Sequence, residues 1–279
     1  MNFTKYHGAG NDFIVIDART LDLDWPGLAR AMCVRHFGVG ADGIILVAEG
    51  TPQPRMRMFN PDGSEAEACG NGLRCFAKHV VDTGLVNTDS FIVHTLGGPR
   101  QAIAFRSPEG TVDEVELSMG APRFAPEDVP AVVPGHSVPL VNIPVQVPGH
   151  TLCVNLVSIG NPHAVMFLDT EPDTYPLGTV GPLLEHHEMF PSRANFEIAQ
   201  VRTRADIVAR VWERGAGETL ACGTGACAIA VACIMHELCD NTVHVHLPGG
   251  ELTITWHGGQ EEVKLRGPAV RVFTGNWPD

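Results

Sequence analysis

The sequence predicts an α+β protein built as two pseudo-symmetric, β-rich halves, each curled around one central helix. Three observations carry this. Ala68-Cys69-Gly70-Asn71-Gly72-Leu73-Arg74-Cys75 returns as Ala221-Cys222-Gly223-Thr224-Gly225-Ala226-Cys227 at an offset of 153, and each copy leads into an apolar run of helical period. Gly10-Asn11-Asp12-Phe13 returns as Gly160-Asn161-Pro162-His163 at an offset of 150, and Phe59-Asn60-Pro61-Asp62-Gly63 aligns roughly with Trp212-Glu213-Arg214-Gly215. Around the two helices lie short β-type runs punctuated by glycine and proline.

Taken in order, residues 3–17 read as a strand interrupted at Gly8-Ala9-Gly10-Asn11 and resumed through Phe13-Ile14-Val15-Ile16. A helix follows from about Pro26 to His36, with Leu28, Ala31, Met32 and Arg35 at helical spacing. Gly38-Val39-Gly40-Ala41-Asp42-Gly43 has the form of a dinucleotide-binding fingerprint, but it precedes the β-type run Ile44-Ile45-Leu46-Val47 rather than opening a helix, so it reads as a turn. Arg55 to Asn60 alternates like a half-buried strand and ends in Pro61-Asp62-Gly63. The helix after Cys69 runs from Leu73 to Thr83 with Leu73, Phe76, Ala77, Val80 and Val81 on one apolar face, and Gly84 closes it. Strands are expected at 91–96, 102–105 and 112–118.

The proline-rich span from Ala121 to Pro148 marks the boundary between a first domain, 1–120, and a second, 121–267, with residues 268–279 returning to the first. In the second half strands are expected at 152–157, 164–168, 207–213, 243–246, 252–256 and 263–266. The helix after Cys222 carries no charge until Glu237, which predicts that it is wrapped on all sides.

A net charge of −13 argues against nucleic acid or an anionic membrane surface as partner. No N-terminal segment has the pattern of a secretion signal, and the longest apolar run is far shorter than the ~20 residues of a spanning helix, so a cytoplasmic protein is expected. Eight scattered cysteines without such a signal favour reduced thiols. The spacing of Cys69 to Cys75 and Cys222 to Cys227 is not that of a zinc site, and neither His186-His187 between Glu185 and Glu188 nor His244-Val245-His246 has a ligand set, so no metal is expected.

A thiol at a helix N-terminus sits beside unpaired N–H groups and the positive end of the helix dipole, which predicts a lowered pKa for Cys69 and Cys222. One such thiol could be a nucleophile, a redox centre or a base. Two at equivalent places suit inversion at a carbon, where one group removes a proton from one face and the other supplies a proton to the opposite face. Gly70-Asn71 and Gly223-Thr224 would offer backbone N–H groups to a carboxylate beside that carbon. Cys33, Cys75, Cys153, Cys227, Cys233 and Cys239 lack this context and read as packing.

The segments Gly8-Ala9-Gly10-Asn11-Asp12-Phe13, Ala68 to Cys75, Gly160-Asn161-Pro162-His163-Ala164-Val165 and Glu213 to Gly225 resemble, in order and spacing, the diaminopimelate epimerases. The resemblance covers nearly the whole chain. It implies a mainly antiparallel sheet or barrel around each central helix, and a cofactor-independent isomerase interconverting LL- and meso-2,6-diaminoheptanedioate in the lysine and peptidoglycan precursor pathway. It also implies a homodimer acting on a small amino acid with two carboxylates. Cys69 and Cys222 are the implied proton-transfer groups, with His163 and Glu213 setting their protonation, and which cysteine is base and which is acid stays open. Asn11, Asn60, Asn161, Asn195 and Arg214 match positions that hold the polar ends of the substrate; a guanidinium can grip a distal carboxylate with two parallel hydrogen bonds. Some family members carry glutamine where this chain has Gly43, so a side-chain contact from that loop is left open. The lysines, Lys5, Lys78 and Lys264, do not by themselves exclude a Schiff base, although pyridoxal phosphate is not implied.

Two other functions fit the same residues. A proline or hydroxyproline racemase would keep fold and mechanism and change the substrate, against which Arg214 and the asparagines argue. A non-catalytic sensor would use Cys69 and Cys222 as a reversible disulfide.

Overall fold

The computed structural model describes residues 1–51, 53–67 and 69–278; Ala68, the first residue of the first cysteine motif, lies outside them. The chain divides into two compact units, Met1–Ser118 with Arg266–Asp279, and Met119–Leu265. In the first, the order is β1 (Asn2–Gly8), β2 (Asn11–Asp17), α1 (Trp25–Met32), β3 (Gly43–Ala48), β4 (Arg55–Phe59), β5 (Glu65–Ala66), α2 (Gly70–Asp82), β6 (Ser90–Thr95), β7 (Gly98–Arg106) and β8 (Val112–Ser118). In the second it is β9 (Ile143–Val147), β10 (His150–Ser158), β11 (Pro162–Phe167), α3 (Leu177–Glu185), β12 (Asn195–Val201), β13 (Asp206–Glu213), β14 (Gly217–Thr219), α4 (Gly223–Met235), β15 (Thr242–Leu247) and β16 (Gly250–Thr255). β17 (Lys264–Pro268) and β18 (Val270–Asn276) end the chain, and β18 lies antiparallel to β1.

The strand pairing repeats. In the first unit β1–β2 is antiparallel, β2–β3 parallel, β3–β4 and β4–β5 antiparallel, β4–β6 parallel and β6–β7 antiparallel. In the second, β10–β11, β11–β12, β12–β13, β13–β14, β13–β15 and β15–β16 give the same series. The sheets are therefore mainly antiparallel, as expected.

Each series ends by wrapping a 13-residue helix. α2 lies against β1, β2, β3, β7 and β8, and α4 against β10, β11, β12, β15 and β16. Ala226 through Cys233 are buried without interruption, which is why α4 needs no charged face. α2 departs from the single apolar face expected of it, because Arg74, Lys78 and His79 are buried as well. Each long polar side chain has internal partners: Arg74 donates to the Pro268 carbonyl at 3.2 Å, Lys78 pairs with Asp82 at 2.9 Å, and Nδ1 of His79 meets the Tyr6 hydroxyl at 3.2 Å. Gly84 follows α2 at φ +71, a left-handed terminus that glycine adopts without strain.

Several elements differ from the sequence reading. α1 stops at Met32 rather than His36, and it is Trp25, Ala29 and Met32 that are buried, while Ala31 and Arg35 are exposed. Arg35 instead reaches Asp12 and Asp42, at 2.7 and 2.8 Å. α3, β9, β12 and β18 were unmarked in the sequence. α3 packs through Leu177, Val180 and Leu184, but Pro182 and three residues of low helix propensity around it hide its period.

Ile229 is fully buried at the middle of α4. Ile229→Ala should lower stability by about 3 kcal/mol, the usual cost of such a cavity, read from the urea midpoint at unchanged slope.

Candidate active site

In the first unit the β1–β2 hairpin turns through Ala9 and Gly10, both at positive φ (51 and 82), which delivers Asn11 as the first residue of β2. Cys69 precedes α2 in extended conformation, with its carbonyl taking the Leu73 N–H at 2.8 Å. The Cys69 thiol donates to Oδ1 of Asn11 at 3.6 Å, and Nδ2 of Asn71 donates to the same oxygen at 3.4 Å. The other end of the Asn11 amide donates to Asp42 at 2.5 Å. Asp42 also takes the Asp12 N–H at 3.0 Å, so a carboxylate in the glycine-rich turn fixes which way Asn11 presents its oxygen. Asp12 is held below the ordinary carboxylate range: burial opposes this, but hydrogen bonds from Arg35 and Lys5 outweigh it. Asn60 donates to Ser64 in its own turn at 3.0 Å.

Gly43 opens β3 with no room for a side chain on this backbone, since a Cβ there would stand 2.8 Å from the Phe59 carbonyl. Of the lysines, Lys5 engages Asp12 and the Gly40 carbonyl, Lys78 engages Asp82 and the Val112 carbonyl, and Lys264 pairs with Glu262. Among the described residues no group of three or more His, Cys, Asp or Glu side chains is gathered as a metal centre.

The second unit joins more of the expected residues. Cys222 precedes α4 in the same extended conformation and its sulfur accepts the Gly225 N–H at 3.4 Å, so the thiol itself caps the helix. Its sulfur is also 3.4 Å from Oγ1 of Thr224. Thr224 in turn accepts Nδ2 of Asn161 at 3.2 Å, and Oδ1 of Asn161 meets Nε2 of His163 at 2.9 Å. The chain ends at Glu197, whose Oε1 lies 2.7 Å from Nδ1 of His163 with both side chains fully buried. Asn195 donates to the Pro162 carbonyl and accepts the Arg214 N–H, each at 3.0 Å, tying the Arg214 turn to β11. Glu213 accepts the Thr219 hydroxyl at 2.6 Å.

Glu197 was missed from the sequence. Its signal was a lone acid inside Phe196-Glu197-Ile198-Ala199, in a strand whose parallel register on β11 sets His163 against Asn195. Burial pushes the Glu197 carboxyl up, against the pull of His163. Glu185, which the sequence singled out only as a flank of His186-His187, is just 4% exposed at its side chain.

The lowered pKa expected for Cys222 is overturned. Burial raises it well above the ordinary thiol range, and the nearby charges of Glu213 and Glu197 raise it further, against Thr224 and the Gly225 N–H. Dipole and N–H groups at a helix terminus act within a turn, whereas desolvation and two carboxylates penalise the thiolate directly. Burial thus favours the neutral thiol of Cys222 over its thiolate.

A sequence profile of the diaminopimelate epimerase family matches residues 3–125 and 155–272. The diaminopimelate epimerase of Moorella thermoacetica is 47% identical over 284 residues, covering 100% of this chain and 99% of that protein. That of Pelotomaculum thermopropionicum is 46% identical over 288 residues, again at 100% and 99% coverage. The chain belongs to the diaminopimelate epimerase family. Among solved structures, a probable proline racemase from Agrobacterium radiobacter K84 superposes with a TM-score of 0.71 at 14% identity, covering 99% of this chain and 92% of that one. A PhzF-family phenazine biosynthesis protein from Bacillus anthracis gives 0.68 at 19% identity, covering 99% and 98%. At that identity the likeness is one of fold.

A raised thiol pKa keeps a proton in the folded state that the unfolded chain loses, so stability falls as pH rises from the ordinary thiol value towards the raised one. Iodoacetamide labelling of Cys222, resolved by peptide mass, should therefore rise only at pH above the ordinary thiol range. Glu213→Gln removes a charge that disfavours the thiolate and should shift that rise to lower pH.

Proposed function

We propose that this chain interconverts LL- and meso-2,6-diaminoheptanedioate, with Cys69 and Cys222 as its two proton-transfer groups. As a member of its family the protein is an isomerase. The observation that carries the residue assignment is the duplication itself: each unit sets one cysteine before a 13-residue buried helix, in hydrogen-bond reach of a polar side chain of that unit.

The α-carbon of an amino acid gives up its proton reluctantly, because the carbanion charge must flow into the neighbouring carboxylate. Backbone N–H groups of Gly70 and Asn71 and of Gly223 and Thr224, at helix starts, are the donors that would take this carboxylate and stabilise the added charge. One cysteine, as thiolate, takes the α-proton and becomes a thiol; the other, as thiol, gives its proton to the opposite face and becomes a thiolate. One proton leaves and one arrives, and the configuration is inverted. Burial favours the thiol form of Cys222, so in one direction Cys222 is the donor and Cys69 the base, and in the reverse direction the roles exchange. His163 acts on Cys222 through Asn161 and Thr224, and Glu213 acts by its charge.

Arg214 selects the substrate. Its side chain is exposed and makes one bond, from NH1 to the Ser192 carbonyl at 3.2 Å, which leaves the rest of the guanidinium available to a second carboxylate. Asn11, Asn60, Asn161 and Asn195 complete the polar contacts in this reading. The site needs no cofactor. We assign the protein to the cytoplasm, as a homodimer in lysine and peptidoglycan precursor synthesis; no helix of the described residues is long and apolar enough to cross a membrane.

In deuterated buffer under reducing conditions, LL-diaminopimelate should gain α-deuterium with inversion, and Cys69→Ser or Cys222→Ser should each slow this by about 10³-fold, the range of a lost acid or base. Exchange on proline with none on diaminopimelate would give the enzyme the other substrate, and no exchange on either would leave the thiol sensor. Arg214→Lys keeps the charge and loses the fork, so the KM for diaminopimelate should rise about tenfold while kcat changes little.

A further inference from the structure

Glu185 is the last residue of α3, the end of a helix at which a negative charge is electrostatically disfavoured, and no basic residue stands in that last turn. It is also buried. A carboxylate kept in such a place needs specific partners, and it has them on another element. Oε2 accepts the indole N–H of Trp212 at 2.8 Å, and Oε1 accepts the backbone N–H of Gly215 at 2.8 Å. Arg193 approaches the same oxygen at 3.5 Å. Burial pushes the carboxyl up, but the bonds from Trp212 and Gly215 outweigh it and keep Glu185 ionised below the ordinary range.

The two accepted groups bracket Glu213 and Arg214. The turn between them needs help, since it is exposed from Arg214 to Ala216 and passes through left-handed glycines at Gly215 (φ +77) and Gly217 (φ +84). Trp212 is itself seated on α3: a Cβ on Gly181 would lie 2.5 Å from its ring, so the indole rests on the bare helix backbone one turn before Glu185. The helix thus offers a flat step for the ring and a carboxylate for its N–H.

We infer that Glu185 is a specificity-determining positioning residue: one carboxylate clamps both ends of the Trp212–Gly215 turn and thereby holds the Arg214 guanidinium where a second substrate carboxylate is recognised. This rests on the assignment of Arg214 to the distal carboxylate. The bonding is bidentate to two donors that are not on one residue, so it fixes the turn's path rather than one side chain's rotamer. A flexible turn would carry the same arginine with a larger ordering cost on binding, paid in KM and not in the proton-transfer step.

The test is steady-state kinetics with LL-diaminopimelate on intact protein. In Glu185→Gln the amide keeps one acceptor and turns a donor towards the other N–H, so one bond is lost. KM should rise about tenfold with kcat within about threefold, and Trp212→Phe, which keeps the carboxylate and removes the indole donor, should move KM the same way by less. Adding Glu185→Gln to Arg214→Ala should raise KM no further, because the group being positioned is gone. A purely structural Glu185 would lower the melting temperature of Glu185→Gln and leave its KM unchanged, or raise KM equally with Arg214 absent; either result overturns the inference. Should Glu185→Gln not fold, an unchanged KM in Trp212→Phe overturns it instead. An intact protein with no turnover of diaminopimelate removes the function reading and shows itself before any variant is compared.

Discussion

Burial of the two central helices over most of their length is the constraint from which the rest follows. A helix wrapped by sheet on all sides has satisfied its interior N–H and C=O groups and can offer hydrogen bonds at its ends alone. In each unit the sequence puts cysteine at the N-terminal end, followed by glycine-containing turns with no bulk to cover it. The same packing that stabilises the helix by removing the side chains of Ala226 to Cys233 from water, at about 25 cal/mol per Å² of apolar surface, therefore makes its first turn a place where a small anion can be held.

Two copies of one frame do not give two copies of one environment. Matching strand registers set Phe13 on Gly43 in the first unit and His163 on Asn195 in the second, so that Ile45 and Glu197, two residues on, are equivalent. The hairpin registers β4–β5 and β13–β14 likewise make Asn60 the counterpart of Glu213. At the helix turn a Cβ on Gly72 would meet Ile45 at 3.1 Å and Phe13 at 3.5 Å, whereas one on Gly225 would meet Glu197 at 2.9 Å and the Cys222 sulfur at 3.4 Å. Phe, Ile and Asn in one unit stand where His, Glu and Glu stand in the other. The ionisable groups that govern Cys222 have uncharged counterparts around Cys69.

What could be read from residues alone follows this division. The duplicated cysteines, the Asn11 and Asn161 hairpins, the charge-free α4 and most strands were legible, because each depends on local pattern: an offset, a period, a glycine. Glu197 and Asp42 were not, because their meaning lies in a parallel register and a turn that bring them to His163 and Asn11 from 34 and 31 residues away. The sign of the Cys222 shift was misjudged for the same reason. A helix start is visible in sequence, but the depth at which it is buried, and the two carboxylates beside it, belong to the packing.

Inequivalence of this kind bears directly on the proposed two-base reaction. Two thiols in the same surroundings would share one pKa, so the two useful states, in which one is thiol and the other thiolate, would be equally populated and neither direction favoured. Burial beside Glu213 and Glu197 raises the Cys222 thiol, whereas the positions equivalent to those two carboxylates in the first unit are Asn60 and Ile45, and the frame that presents both cysteines is undisturbed. The differences lie in side chains, at these three strand positions and along the helices themselves, while the backbone pairing and helix length stay duplicated. Charge placement, and not architecture, is what distinguishes the surroundings of the two cysteines.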